Sequence, residues 1–113
     1  MALIREMELM QEAGIHPIDV IRVATTNAYQ ALGMDEHCGV RVGCVADLAV
    51  VNGNPIDNLK VMYGLGYGFY GIAPADEQWQ WGGVTWTIKE GVVYDAQALL
   101  REALWYVQQE KAR

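Results

Sequence analysis

The amino-acid sequence predicts a small domain of the α+β class. Three observations lead to this prediction: two helical patterns open the chain, short β-branched runs between glycine-rich turns fill its middle, and a helical pattern closes it. A chain of 113 residues is one domain or part of one. Its 52% hydrophobic and 19% charged residues are typical of a globular protein.

Two helices are predicted before residue 34. The first covers residues 2–13, and Gly14 is placed to end it in the left-handed conformation. The second is predicted to begin at Pro17, with His16 at the N-cap position, and to stop at Gly33. The two helices form a hairpin with apolar residues at helical spacing on each, namely Leu3, Ile4, Met7 and Met10 on the first and Ile21, Ala24, Ala28, Ala31 and Leu32 on the second.

Strands are predicted in the second half of the chain. The apolar run 46–51 has the length of a strand, and residues 52–55 form a strong turn after it. Residues 60–63 predict another short strand. Alternating apolar and polar residues predict a strand around 84–89, which turns at Glu90 and Gly91 into a strand at 92–94.

A terminal helix is predicted to follow the last strand. Asp95 is placed to cap its first turn. The side chains of one face are apolar: Leu100, Ala103, Leu104 and Val107.

A glycine- and aromatic-rich loop separates the predicted strands, over residues 64–83. Loops of this length are uncommon in compact domains and often carry function or mobility. Residues 66–71 match G-x-G-x-x-G, but Pro74 follows closely and no strand–helix–strand unit surrounds the motif. We therefore interpret the segment as a loop that packs on a neighbour rather than as a nucleotide site.

The charge balance argues against two classes of partner. The formal net charge is −6, whereas binding to nucleic acid or to an anionic membrane surface needs a basic face. No apolar run approaches the ~20 residues of a membrane span. The acidic, amphipathic N-terminus is unlike a signal peptide, so we expect a cytoplasmic protein.

The sequence shows few residues suited to catalysis. It contains no serine, which excludes a serine triad. Cys38 and Cys44 are interpreted as two ordinary thiols in a reduced compartment. His16 and His37 are the only histidines, and a two-ligand site built from their distant loops is conceivable but not favoured.

Four passages together resemble the C-terminal part of amidohydrolases, nearest to imidazolonepropionase-like enzymes and metal-dependent dipeptidases. Residues 12–17 resemble E-A-G-x-T-P, and residues 24–28 resemble A-T-x-N-A. Residues 39–55 resemble G-x-I-x-x-G-K-x-A-D-L-V-V-L-D-G-N-P, and residues 86–95 resemble I-K-D-G-x-x-Y-D. Cys44 stands where lysine is frequent in the family, and His16 stands where threonine is.

The resemblance implies a structural role for this part of the chain. Residues 1–33 would be the last helices of an (α/β)8 barrel, and residues 34–113 would be the C-terminal part of a composite β-sandwich with a terminal helix. In the family, Gly39 and Gly43 serve a turn, and Asp47 leads into a sandwich strand. The predicted partners are a second copy of this chain or a missing barrel portion.

The metal ligands of the family would lie upstream of this chain. They are a His-x-His pair, two further histidines, often a lysine or glutamate, and an aspartate. We therefore predict no catalytic, cofactor-binding or metal-binding residue here, although a divalent metal, zinc, is expected in a full-length relative. The predicted function is that of an inactive C-terminal fragment of a hydrolase acting on C–N bonds. The alternative is a self-standing oligomeric interaction module.

Overall fold

The structure is a computed structural model that describes residues 2–63 and 83–113. It confirms the α+β class. The helices are α1 (Ala2–Glu12), α2 (Pro17–Arg22), α3 (Ala28–Ala31) and α4 (Ala96–Lys111), and the strands are β1 (Leu48–Asn52), β2 (Gly83–Lys89) and β3 (Val92–Asp95). The loop predicted over residues 64–83, with its G-x-G-x-x-G motif, lies outside the described residues except for Gly83.

The helical hairpin forms where the sequence predicts it. Gly14 ends α1 with φ +100°, a conformation that glycine adopts without a steric penalty. Pro17 opens α2, and His16 before it has extended backbone but makes no side-chain capping bond. A π-helical turn, Val23–Asn27, joins α2 to α3.

The core is small and lies between the helical hairpin and a 3₁₀ turn, Leu59–Met62. Met7, Val20 and Leu59 are its buried members, with exposed fractions of 1%, 0% and 2%. It joins residues from both predicted domains, whose division at residue 33 stays a prediction. α1 packs on both α2 and the 3₁₀ turn, so the helical hairpin is anchored at this end.

The predicted buried stripe of the second helix is wrong beyond Ala24. Ile21 and Ala24 pack at the edge of the core, but Ala28 and Ala31 are exposed and Leu32 is 73% exposed. The π-helical turn holds more residues per turn than an α-helix, so it rotates the stripe that a uniform helix would continue. The prediction assumed one unbroken α-helix.

The strand predicted at 60–63 is also wrong, because residues 59–62 form the 3₁₀ turn. The side-chain oxygen of Asn58 accepts a hydrogen bond from the Lys60 N–H at 3.0 Å and caps this turn. Gly53 makes the preceding turn at φ +121°, and a Cβ there would lie 2.9 Å from Cγ1 of Val61. The chain thus turns tightly onto the core instead of extending.

The three strands form an antiparallel sheet in the order β1-β2-β3. Leu48 pairs with Ile88, which pairs with Val93, and the register shifts between Val50 and Val51. Glu90 and Gly91 connect β2 to β3 with φ values of 50° and +82°. Positive φ at both residues of a two-residue connection is the type I′ turn that suits the twist of a hairpin, so the predicted hairpin is confirmed.

Helix α4 follows β3 directly. The carboxylate of Asp95 accepts a hydrogen bond from the Ala98 N–H at 2.8 Å, which confirms the predicted cap. Of the predicted apolar face, Leu100 is half-buried, whereas Leu104 and Val107 are 45% and 50% exposed. None of the described helices is long and apolar enough to cross a membrane.

Candidate functional site

Asp47 is the centre of a polar cluster at the start of β1. Its Oδ1 accepts a hydrogen bond from the Glu90 N–H, and its Oδ2 accepts one from Lys89 Nζ, each at 2.8 Å. Oδ2 also lies 3.2 Å from Nε2 of His37 and accepts a longer hydrogen bond of 3.5 Å from the Tyr29 hydroxyl. The Asp47 side chain is only 12% exposed. One carboxylate therefore connects α3, the following loop and the β2–β3 hairpin.

The hairpin turn explains why Asp47 finds two of these partners. The register of β1 against β2 brings the chain before Leu48 alongside the turn, where Gly91 N–H donates to the Ala46 carbonyl at 3.1 Å. The left-handed conformation of Glu90 leaves its N–H outside the strand ladder and free to donate to Asp47. Lys89 then reaches the second carboxylate oxygen from the end of β2.

His37 contacts the cluster from the loop that follows α3. Its ring stacks on Tyr29 with centroids 4.3 Å apart and planes 15° apart, and its side chain is 7% exposed. Nδ1 lies 3.5 Å from a carboxylate oxygen of Glu36, but the geometry is not that of a hydrogen bond, so this buried nitrogen has no hydrogen-bond partner within the described residues. Because Glu36 is largely exposed, we regard the Asp47 contact as the stronger restraint on the ring.

The electrostatics of the cluster keep Asp47 ionised. The hydrogen bonds from Lys89 and from the Glu90 N–H, with a smaller contribution from the charges of Lys89 and His37, outweigh the effect of burial and together lower the pKa of Asp47 from 3.8 to about 2. The same ion pair raises the pKa of Lys89. A general acid or base needs a pKa close to the working pH, so Asp47 is suited to holding structure rather than to moving protons at neutral pH.

The donors of the cluster do not fit a metal ion. The ammonium of Lys89 already lies against Oδ2 of Asp47, where a divalent cation would have to bind. Across residues 2–63 and 83–113 there is no group of three or more His, Cys, Asp or Glu side chains that could hold one. His16 is exposed at the start of α2 and takes no part in the cluster.

The interpretation of the cysteines as two ordinary thiols is wrong, because Cys38 and Cys44 form a disulfide. Their Cα atoms are 5.4 Å apart, within the range that a disulfide requires. Gly39 and Gly43, with φ values of +101° and +90°, turn the chain back between them. The spacing of the two cysteines in the sequence does not show that the chain reverses direction between them.

An open cleft of about 500 Å³ lies beside the cluster. Its walls come from α2, the π-helical turn, α3 and the loop that follows them. Arg22, Gln30, Arg41 and Asp35 are among the lining residues, together with His37 and Cys38. The lining carries both signs of charge and is polar in character.

Sequence reasoning singled out Asp47 only as the residue leading into a strand. It missed the cluster because Tyr29, His37 and Lys89 lie 18, 10 and 42 positions away along the chain. The available signal was a charged residue inside an apolar run, since a buried carboxylate requires partners. That signal does not identify which residues the partners are.

The comparison with protein families agrees with the resemblance seen in the sequence motifs. The sequence profile of the amidohydrolase family matches residues 1–93, which include the helical hairpin, Asp47 and the β2–β3 turn. The searches of curated proteins and of solved structures gave no match. Because the family match covers most of its length, the chain belongs to the amidohydrolase family.

Proposed function

We propose that this chain is the C-terminal structural part of a metal-dependent amidohydrolase. The complete enzyme would hydrolyse C–N bonds in small amides, cyclic amides or dipeptides, with zinc or another divalent metal held by a barrel portion outside this chain. The observation that carries the proposal is the family match over residues 1–93. The geometry supports it because Asp47 contacts Lys89, the Glu90 N–H and His37, as expected of a carboxylate with a structural role.

The anchor ties together the two parts that the proposal assigns to barrel and sandwich. Tyr29 belongs to the helical segment assigned to the barrel, whereas Asp47 and its partners His37, Lys89 and Glu90 belong to the part assigned to the sandwich. The Lys89 side chain is exposed, whereas the Asp47 carboxylate is only 12% exposed and also accepts a hydrogen bond from the Glu90 N–H, so the carboxylate is the fixed part of the link. In a complete enzyme this link would keep the sandwich in a constant position relative to the barrel.

The genomic sequence on the 5′ side of the Met1 codon tests the proposal. We expect an uninterrupted frame that encodes barrel strands and a His-x-His pair. Expressed separately, that upstream portion should be inactive and should regain amidohydrolase activity when this chain is added. An Asp47→Asn chain should restore less activity than wild type, whereas Glu110→Gln, which removes a charge from the exposed end of α4, should restore all of it. An in-frame stop codon directly before Met1 would contradict the proposal.

The chain alone is proposed to hold no stoichiometric zinc and to hydrolyse no amide. The reason is that Lys89 and His37 already contact the Asp47 carboxylate, which leaves it unsuited to a metal. Elemental analysis of pure, chelator-washed protein measures this directly. One tightly held metal ion per chain would contradict it.

A second candidate function is a self-standing oligomeric interaction module without activity. The observation that favours it is the exposure of large apolar side chains on α4, among them Leu99, Trp105 and Tyr106 at 54%, 54% and 57%. Helix α4 also lies beyond the residues that match the family. A cytoplasmic location is part of both proposals, and fractionation of expressing cells tests it.

A further inference from the structure

The Cys38–Cys44 disulfide closes the base of a short loop. Beside the disulfide, the Val45 N–H donates a hydrogen bond to the Glu36 carbonyl at 2.8 Å, which joins the two chain segments that lead into and out of the loop. The disulfide and this hydrogen bond together hold the two arms of the loop. His37 lies between Glu36 and Cys38 in the segment that leads into the loop, and is therefore flanked by the hydrogen bond and the disulfide.

The loop base is connected directly to the Asp47 cluster. His37, the neighbour of Cys38, contacts both Tyr29 and Asp47. On the other arm, the Asp47 N–H donates to the Val45 carbonyl at 3.0 Å, three residues after Cys44. A change at the disulfide therefore acts on both arms that bring His37 and Asp47 together.

Reductants have access to the disulfide. Cys38 is exposed and Cys44 is half-buried, and Cys38 lines the open cleft of about 500 Å³. Arg22 and Arg41 line the same cleft. Their guanidinium groups are positively charged, and the species that attacks a disulfide is an anionic thiolate.

We infer that Cys38–Cys44 is a redox-active site that exchanges with a thiol or dithiol reductant, and that its oxidised state holds His37 against Asp47. The inference concerns the stability of this chain and is independent of the hydrolase proposal. It gives a role to Cys44 at a position where the family frequently has lysine.

The exchange balances in two steps. A thiolate of the reductant attacks Sγ of Cys38, the Cys38–Cys44 bond breaks, and Cys44 leaves as a thiolate that takes a proton from water. The second thiol of the reductant then attacks the mixed disulfide, which releases Cys38 as a thiol and the reductant as its own disulfide. Two electrons pass from the dithiol to the protein.

Histidine resonances provide a specific readout, because the chain has only two histidines. In protein purified without reductant, thiol titration of the folded chain should find no free thiol, and dithiothreitol should release two without denaturant. Reduction should shift the imidazole signals of His37 and leave those of the exposed His16 unchanged. It should also lower Tm by roughly 5–10 °C, as expected for opening a loop of this length.

A Cys38→Ser/Cys44→Ser variant is the matched control. Its His37 signals should match those of the reduced wild type and should not respond to dithiothreitol. Two free thiols in the unreduced protein would overturn the inference, as would thiols that react only after unfolding. Unchanged His37 signals on reduction would overturn the link between the disulfide and Asp47. Should the variant fail to fold, the reversible titration of wild-type protein still decides both points.

Discussion

The N-terminal helix α1 and the C-terminal helix α4 show how differently two amphipathic helices can be used in one chain. α1 has 11 residues and places Met7 in the core, and its Glu8 accepts a hydrogen bond from the Tyr63 hydroxyl at 3.0 Å. α4 has 16 residues and a good N-cap, yet all its residues are half-buried or exposed. The longer helix is therefore the less anchored one.

An apolar stripe in the sequence therefore predicts a helix but not which element packs on it. Both helices have apolar side chains at helical spacing, and only α1 has the 3₁₀ turn and α2 packed on it. Helical stability in proteins comes mostly from such packing. The Asp47 cluster extends the anchored region to the hairpin, and α4 packs on β2 through its first turns, whereas its residues from Arg101 onward are exposed.

The largest expected effect concerns the mass of the particle in solution. We predict that the isolated chain is not a monomer, because exposed apolar side chains on α4 gain roughly 25 cal/mol for each Å² removed from water. Light scattering at micromolar concentration should give at least twice 12.6 kDa. Leu104→Lys with Val107→Lys should return the mass to that of one chain, whereas Gln108→Lys with Gln109→Lys should not. A cooperative wild-type monomer would contradict the prediction.

The second largest expected effect is a loss of stability that differs between a buried and an exposed residue of α1. Met7→Ala removes a side chain that is 1% exposed, so we expect the free energy of unfolding to fall by about 2–5 kcal/mol. Leu9→Ala in the same helix removes one that is 42% exposed and should cost less than about 1 kcal/mol. Denaturant titration of both variants measures the difference. Equal losses would show that burial does not distinguish the two positions.

The pH dependence of stability tests the Asp47 anchor. The pKa of Asp47 in the folded chain is about 2, below its ordinary value of 3.8, so its stabilising contribution is complete above about pH 4. That contribution is lost as the pH falls through 2. Asp47→Asn should therefore lower Tm most at neutral pH, and the gap to wild type should close between about pH 4 and pH 2.

A matched substitution tests whether the loss of stability comes from the contacts of Asp47 or from the loss of any one negative charge. Glu110→Gln also removes one negative charge, but at the exposed end of α4, where its pair with Arg113 is open to solvent. Its Tm should follow that of wild type throughout the range. A constant difference in Tm between Asp47→Asn and wild type from pH 7 to pH 2 would contradict a stabilising role of the ionised Asp47 carboxylate.

Local signals in the sequence predicted the local features correctly. Gly14, Pro17 and Asp95 each act through one to three neighbouring residues, and the structure confirms all three. The errors have longer-range causes. The strand at 60–63 became a 3₁₀ turn against the core, and the disulfide depended on how glycines return the chain. The Asp47 cluster could not be predicted because its partners come from three separate places along the chain, at Tyr29, at His37 and at the adjacent residues Lys89 and Glu90.

The smallest expected effect concerns the turn that presents the Glu90 N–H to Asp47. Glu90 has φ 50°, in the left-handed region where asparagine is better tolerated than glutamate. Glu90→Asn keeps the N–H and gives up an exposed 3.5 Å contact with Lys89, which contributes little. We expect the free energy of unfolding to rise by about 0.5 kcal/mol. Gly91→Ala, at φ +82°, should lower it by about 1 kcal/mol, because alanine resists that conformation. Denaturant titration should thus show that the free energy of unfolding rises for the first variant and falls for the second. Equal losses would mean that the glutamate side chain, rather than the backbone, stabilises the turn.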